Sequence, residues 1–121
     1  MMTQLNPADF STWLASATAA AGPGALPVVL DVREPWELQT ASVKAEGFTL
    51  LAIPMRDIPA RLAELQESLG SDHPIACLCH HGMRSLQVAN YLAQGGFGDV
   101  VNVQGGIDAW SRELDSSVPR Y

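Results

Sequence analysis

The chain has 121 residues, 47% of them apolar and 17% charged, a balance found in globular domains and not in disordered segments. That length fits one domain, which buries roughly 65% of the surface its unfolded form exposes and so builds a core without staples. Seven basic against thirteen acidic residues give a net charge of −6, and Lys44 is the only lysine, so the clustered cations that grip nucleic acid or anionic lipid are missing and neither partner is expected.

In chain order, Asn6-Pro7 followed by Phe10, Trp13, Leu14 and Ala17 predicts a capped amphipathic helix running to about Ala21, stopped by Gly22-Pro23-Gly24. The small apolar stretch 15–21 has no basic residue ahead of it, so it does not read as a signal peptide. No apolar run approaches the eighteen or so residues of a membrane span. Val28-Val29-Leu30, ending at Asp31, reads as a strand buried on both faces. Glu34-Pro35-Trp36 starts a helix with Pro35 in its first turn. The apolar run 48–53 is a second strand, closed by Pro54.

Residues 58, 62, 65 and 69 then form a helical stripe. Ile75–Leu78 is a third strand, and 86–93, apolar nearly all round, is expected to be a buried helix. Gly95-Gly96 ends it, Val100–Val103 is a fourth strand, and Gly105-Gly106 leads into a last helix through Trp110 and Leu114. This alternation predicts an α/β fold, a central mostly parallel sheet of four or five strands with helices on both faces. Trp13, Trp36 and Trp110 are read as core or helix-packing residues. The tail 118–121 shows no periodicity and receives no element.

In such sheets ligands gather beyond the carboxyl ends of the strands. There the third strand gives way to Cys79-His80-His81-Gly82-Met83-Arg84-Ser85, with a helix following. A cysteine in a loop closing onto a helix N-terminus meets unpaired N–H groups and the positive helix end, both of which favour thiolate over thiol. Gly82 permits positive φ in a tight cradle, and Arg84 adds a fixed positive charge. The loop has the parts of an anion-stabilising nest around a nucleophile. Cys77 lies two residues earlier in an apolar strand and is assigned to core packing. Two cysteines so close are too strained for a disulfide and too few for a scaffold, which points to a reduced, cytoplasmic protein.

Three motifs together resemble the rhodanese-like sulfurtransferases. Leu30-Asp31-Val32-Arg33-Glu34-Pro35-Trp36-Glu37 is similar to that family's first strand-turn-helix signature, Cys79 to Ser85 to its active-site loop, and Asn102-Val103-Gln104-Gly105-Gly106-Ile107 with Trp110 to its C-terminal signature. The stretch 42–48 departs from the family by lacking the histidine usual before the second strand. The resemblance implies that Cys79 attacks the outer sulfur of a donor such as thiosulfate. It would then carry a persulfide until a thiophilic acceptor, cyanide or a thiol, removes the terminal sulfur. The partners implied are a small-molecule donor and acceptor or a protein persulfide or thiol, with no metal or organic cofactor.

Phosphatases and arsenate reductases with a related loop place Arg six positions after Cys. Arg84 is five after Cys79, a cradle suited to one sulfur atom more than to a tetrahedral oxyanion. A sulfur-relay or regulatory module that takes sulfur from a partner protein is the other alternative. Arg84 is expected either to bind an anionic donor or to tie the loop to a carboxylate such as Asp31 or Glu34. Asp31 and Arg33 either support the site or form a structural ion pair. His80 and His81 border the pocket or are simply exposed. With the two cysteines they lack the paired spacing of common zinc sites, so no metal is expected.

Overall fold

The computed structural model describes residues 2–121. Short runs of Val, Ile and Leu suit strands covered on both faces, and among the described residues five strands form one sheet. They are β1 (Thr3–Leu5), β2 (Val28–Asp31), β3 (Thr49–Ala52), β4 (Ile75–Leu78) and β5 (Val100–Val103). The order is β1-β5-β4-β2-β3, and every pair is parallel. Parallel neighbours need crossovers. Helices α1 (Phe10–Ala21), α2 (Pro35–Thr40), α3 (Ile58–Leu69) and α4 (Met83–Gln94) supply them, and α5 (Gly106–Glu113) follows the last strand.

Period-two alternation along the strands divides the interior into two layers. Val29, Ala76, Leu78, Val101 and Val103 point to the side of Phe10, Ile107 and Trp110 from α1 and α5. Val28, Leu30, Ile75 and Cys77 point to the side of Ile58, Leu65, Val88 and Leu92 from α3 and α4. The first layer is keyed by aromatics, with the Phe10 ring 4.5 Å from Trp110 and 5.5 Å from Phe48.

Among the described residues the sheet has five strands, within the expected four or five, but the sequence does not locate one of them, and three further expectations need correction. The fifth strand is β1, whose Thr3 and Gln4 are exposed at the sheet edge with only Leu5 buried, so no apolar run announces it. Asn6 caps a short 3₁₀ turn, Pro7–Asp9, and the α-helix begins only at Phe10. The fourth helix begins at Met83, three residues before the apolar run, and is amphipathic, because Gln87, Asn90, Tyr91 and Gln94 lie on its solvent face. Trp36 is 63% exposed and lies outside the core, whereas Trp110 is buried and Trp13 packs half-buried against the first layer.

β2 and β4 are neighbours whose connections leave in opposite directions, toward β3 and toward β5, and the crevice between their carboxyl ends is the switch point of the sheet. A buried polar network fills one side of it. Asp31 and Arg33 are fully buried and paired through three bonds, Nε to Oδ1 at 2.9 Å and to Oδ2 at 3.1 Å, and Nη2 to Oδ2 at 2.7 Å. The remaining Arg33 donors reach the carbonyls of Glu37 (3.3 Å) and Ala41 (2.8 Å) and the Tyr121 hydroxyl (2.9 Å). Burial opposes the charge on Arg33, but the bonds to Asp31 and Tyr121 outweigh it and raise its pKa. Arg33 therefore splices the end of β2 to α2 and to the tail as a structural ion pair.

Glu37, buried in α2, receives the two Nη groups of Arg84 at 2.7 and 2.9 Å, the Tyr121 hydroxyl at 2.7 Å and the Glu34 N–H at 3.1 Å. The Arg84 bonds, against the opposing effect of burial, hold its pKa down at about 2 from 4.5. A depressed carboxylate pKa contributes stability that is complete above 4.5 and is lost as pH falls through 2. Urea melts between pH 5 and pH 2 should therefore show a loss of stability that Glu37→Gln, already weaker at neutral pH, shows to a smaller degree. Parallel pH dependence in both proteins would contradict the assignment. Asp31→Asn, which leaves Arg33 buried without its counter-charge, is expected to cost about 3–5 kcal/mol in the same melts, and a loss under 1 kcal/mol would show that the pair does not hold the network.

Candidate active site

β4 ends at Leu78, and the next residue, Cys79, is 1% exposed at the sheet's carboxyl edge. Its Sγ accepts hydrogen bonds from the Gly82 N–H at 3.1 Å and from the Ser85 hydroxyl at 3.2 Å. Gly82 precedes α4 and Ser85 lies in its first turn, so the sulfur rests against the helix N-terminus. Both donors and the positive helix end stabilise negative charge on sulfur.

The loop's shape depends on contacts from β5 and α5. Gly82 has φ +98°, and a Cβ there would lie 3.0 Å from the Gly105 nitrogen. Its carbonyl accepts from Asn102 Nδ2 at 3.1 Å, which also reaches the Gln4 side chain on β1 at 2.9 Å. The carbonyls of Cys79 and His80 accept from the Ile107 and Asp108 N–H groups at 2.8 and 3.2 Å. Those N–H groups belong to the first turn of α5 and have no partner within it. Such an approach leaves no room at Gly106, where a Cβ would stand 2.4 Å from the His80 oxygen and 2.5 Å from the Cys79 oxygen. The glycine pair read from sequence as a helix start thus lets one helix end dock onto the active-site loop.

The loop residues named from sequence are brought together, with distinct placements. Arg84, about a third exposed, is tied to a carboxylate, and the carboxylate is Glu37, not Asp31 or Glu34. That bond raises the Arg84 pKa most, and negative charge on Cys79 adds to it in smaller measure. His80 is half-buried, and its Nε2 lies 2.8 Å from the Tyr121 main-chain oxygen, which can only accept. Its ring stacks on His81 at 3.9 Å and on Tyr121 at 3.8 Å. His81 and Met83 are exposed at the rim. Asp31 and Arg33 stand behind the site and support it only through the network.

Cys77 is fully buried on the α3–α4 side of β4, and burial pushes its thiol pKa well up, as its assignment to the core requires. Among the described residues no three His, Cys, Asp or Glu side chains converge as a metal site, and no helix is long and apolar enough to cross a membrane.

Three contributors had no role from sequence. Glu37 and Asn102 stood inside the quoted motifs, where a carboxylate three residues into a helix and an asparagine in an apolar strand were the available signals. Tyr121 gave none, because only the folded tail brings it to Glu37.

A family model described as the rhodanese-like domain matches residues 11–113. Over 93 residues the chain is 32% identical to thiosulfate sulfurtransferase GlpE of Pseudoalteromonas translucida, covering 77% of this chain and 81% of that protein. It is 39% identical over 93 residues to the rhodanese-like/PpiC domain-containing protein 12 of Arabidopsis thaliana, a chloroplastic protein, but spans 30% of that longer chain and 77% of its own. A rhodanese-related protein from Thermoplasma volcanium superposes with a TM-score of 0.65 at 32% identity, over 93% of each chain. The match of sequence, sheet and loop makes this chain a member of the rhodanese-like sulfurtransferase family.

Proposed function

We propose that the protein transfers sulfane sulfur from thiosulfate or another persulfide donor to a thiol or cyanide through a persulfide on Cys79. The observation that carries this reading is the two-donor cradle at Sγ, from the Gly82 N–H and the Ser85 hydroxyl, set against the N-terminus of α4. The thiosulfate donor is supported by the GlpE relative's name.

In the first step the Cys79 thiolate forms a bond to the outer sulfur of thiosulfate, and the sulfur–sulfur bond of the donor breaks with its electron pair going to sulfite. Charge is conserved, since a thiolate and a dianion become a persulfide anion and sulfite dianion. In the second step cyanide or a thiolate attacks the terminal sulfur and the electron pair returns to the Cys79 sulfur. The negative charge moves by one sulfur atom between the two states. The cradle therefore needs to serve an anion one atom farther out, and in this reading the α4 N-terminus and the Arg84 charge supply that stabilisation. The separation of five positions between Cys79 and Arg84 keeps the loop small, which favours this chemistry over transfer of a tetrahedral oxyanion. Cys77, sealed in the core, has no part in it.

Intact mass after incubation with thiosulfate tests the assignment. Wild type and Cys77→Ser should each gain about one sulfur atom and lose it on adding cyanide, and Cys79→Ser should gain none. A gain by Cys79→Ser, or its absence from Cys77→Ser alone, would overturn the single-cysteine mechanism. Failure of the wild type to gain sulfur from thiosulfate while it does so from a protein persulfide would move the assignment to a relay. Gly106→Ala displaces the loop carbonyls by close to an ångström, and misplacement on that scale costs about 100-fold in turnover. Wild-type kcat in that variant would show that α5 does not set the loop.

A further inference from the structure

The tail beyond α5 is not a loose end. Val118 is 2% exposed in the α1–α5 layer, and its carbonyl accepts from the Ser111 hydroxyl at 2.6 Å. Its N–H donates to the Asp115 carbonyl at 3.1 Å, and Arg120 Nε lies 3.0 Å from Asp108 Oδ1. These contacts carry Tyr121 across to the crevice between β2 and β4, where it meets Arg33 and Glu37 on one side and His80 of the loop on the other.

On one side its hydroxyl donates to Glu37 Oε2 at 2.7 Å while accepting from Arg33 Nη1 at 2.9 Å. Burial pushes its pKa up to about 12, so the phenol keeps the proton it donates. Glu37 Oε2 is also the acceptor for Arg84 Nη2. The hydroxyl thus fixes one of the two oxygens that orient the Arg84 fork, and the Glu34 N–H fixes the other. On the other side the Tyr121 ring stacks on the His80 ring at 3.8 Å and 8° between planes, and its main-chain oxygen meets His80 Nε2. His80 and Arg84 both follow Cys79 in the chain, one directly after it and the other five positions on.

We propose that Tyr121 is a positioning residue for sulfur transfer: its hydroxyl holds the Glu37 carboxylate that grips the Arg84 guanidinium, and its ring holds His80 in the loop that carries Cys79. This rests on the sulfur-transfer reading of the site. Tyr121 takes no part in bond making. It acts through Glu37 and His80, and it gives the otherwise aperiodic tail a task at the site. An ordered tail alone would make Tyr121 part of the fold; a hydroxyl shared between a buried arginine and the carboxylate that aims Arg84 makes it part of the site.

Tyr121→Phe keeps the ring on His80 and deletes the hydroxyl's two bonds, the one to Glu37 and the one from Arg33. It should raise the KM for thiosulfate about 3–10-fold, the range a single lost hydrogen bond spans, with kcat within about twofold. Tyr121→Leu, which also loses the ring, should lower kcat as well. A readout independent of turnover is the rate of Cys79 alkylation by iodoacetate divided by that by iodoacetamide, since only the anion senses the aim of Arg84. The ratio should fall about 2–5-fold on Tyr121→Phe in the wild type and stay unchanged on Tyr121→Phe in a Glu37→Gln background, because the hydroxyl acts on the guanidinium only through that carboxylate. An unchanged KM and ratio in Tyr121→Phe, with only a lower melting temperature, would overturn the proposal, as would additive effects of the two substitutions. Should the wild type accept sulfur from no donor, the sulfur-transfer reading fails by itself. The alkylation ratio then still decides whether Tyr121 aims Arg84.

Discussion

The loop from Cys79 to Ser85 is held between two helix N-termini, and the rest of the candidate site depends on that constraint. From inside, α4 offers its first turn to the Cys79 sulfur. From outside, α5 offers its first N–H groups to the carbonyls of Cys79 and His80. The N–H groups of Ile107 and Asp108, without partners in α5, find them in the loop carbonyls, while at α4 the cap residue Gly82 gives its N–H and Ser85 its hydroxyl to the sulfur. The loop thereby has its carbonyls turned toward α5 and an N–H turned toward the sulfur. That orientation is what makes a cradle for an anion out of an ordinary strand-to-helix connection.

The sheet explains why such a loop can form here. At the switch point β2 and β4 send their connections apart, leaving a crevice into which residues from both can reach. The connection after β2 contributes Glu37, and the one after β4 contributes Cys79 and Arg84. Arg33, fully buried with Asp31, keeps that crevice filled with satisfied polar groups. On β5, Asn102 Oδ1 is buried without a hydrogen-bond partner among the described residues, while its Nδ2 is committed to Gly82 and Gln4. The amide is thus oriented by its donor, and the loop gains a fixed carbonyl at the cost of one unsatisfied oxygen.

Sequence revealed most of this where cause and effect lie close together in the chain. The strands at 28–31, 75–78 and 100–103 are apolar because both faces are covered, and the loop from Cys79 to Ser85 carries its nucleophile, its glycine and its cation within seven residues. β1 escaped because an edge strand with one buried side chain has no pattern to display. Trp36 was misplaced because hydrophobicity alone does not say which face of a short helix it occupies. The partners of the loop were hidden by separation: Glu37 is 47 positions from Arg84, and Tyr121 is 84 from Glu37. A carboxylate partner for Arg84 was foreseeable from its charge, but which carboxylate is decided by the turn of α2, which buries Glu37 and leaves Glu34 nearer the surface.

The central claim is that one sulfur atom at a time is stored on Cys79, between two separate half-reactions. Sulfite released on mixing thiosulfate with stoichiometric protein, with no acceptor present, measures this directly. The account predicts a burst of about one sulfite per chain that then stops and resumes only when cyanide or a thiol is added. Sulfite release that waits for the acceptor, with no burst, would mean that sulfur passes from donor to acceptor without resting on the protein, and would contradict the account.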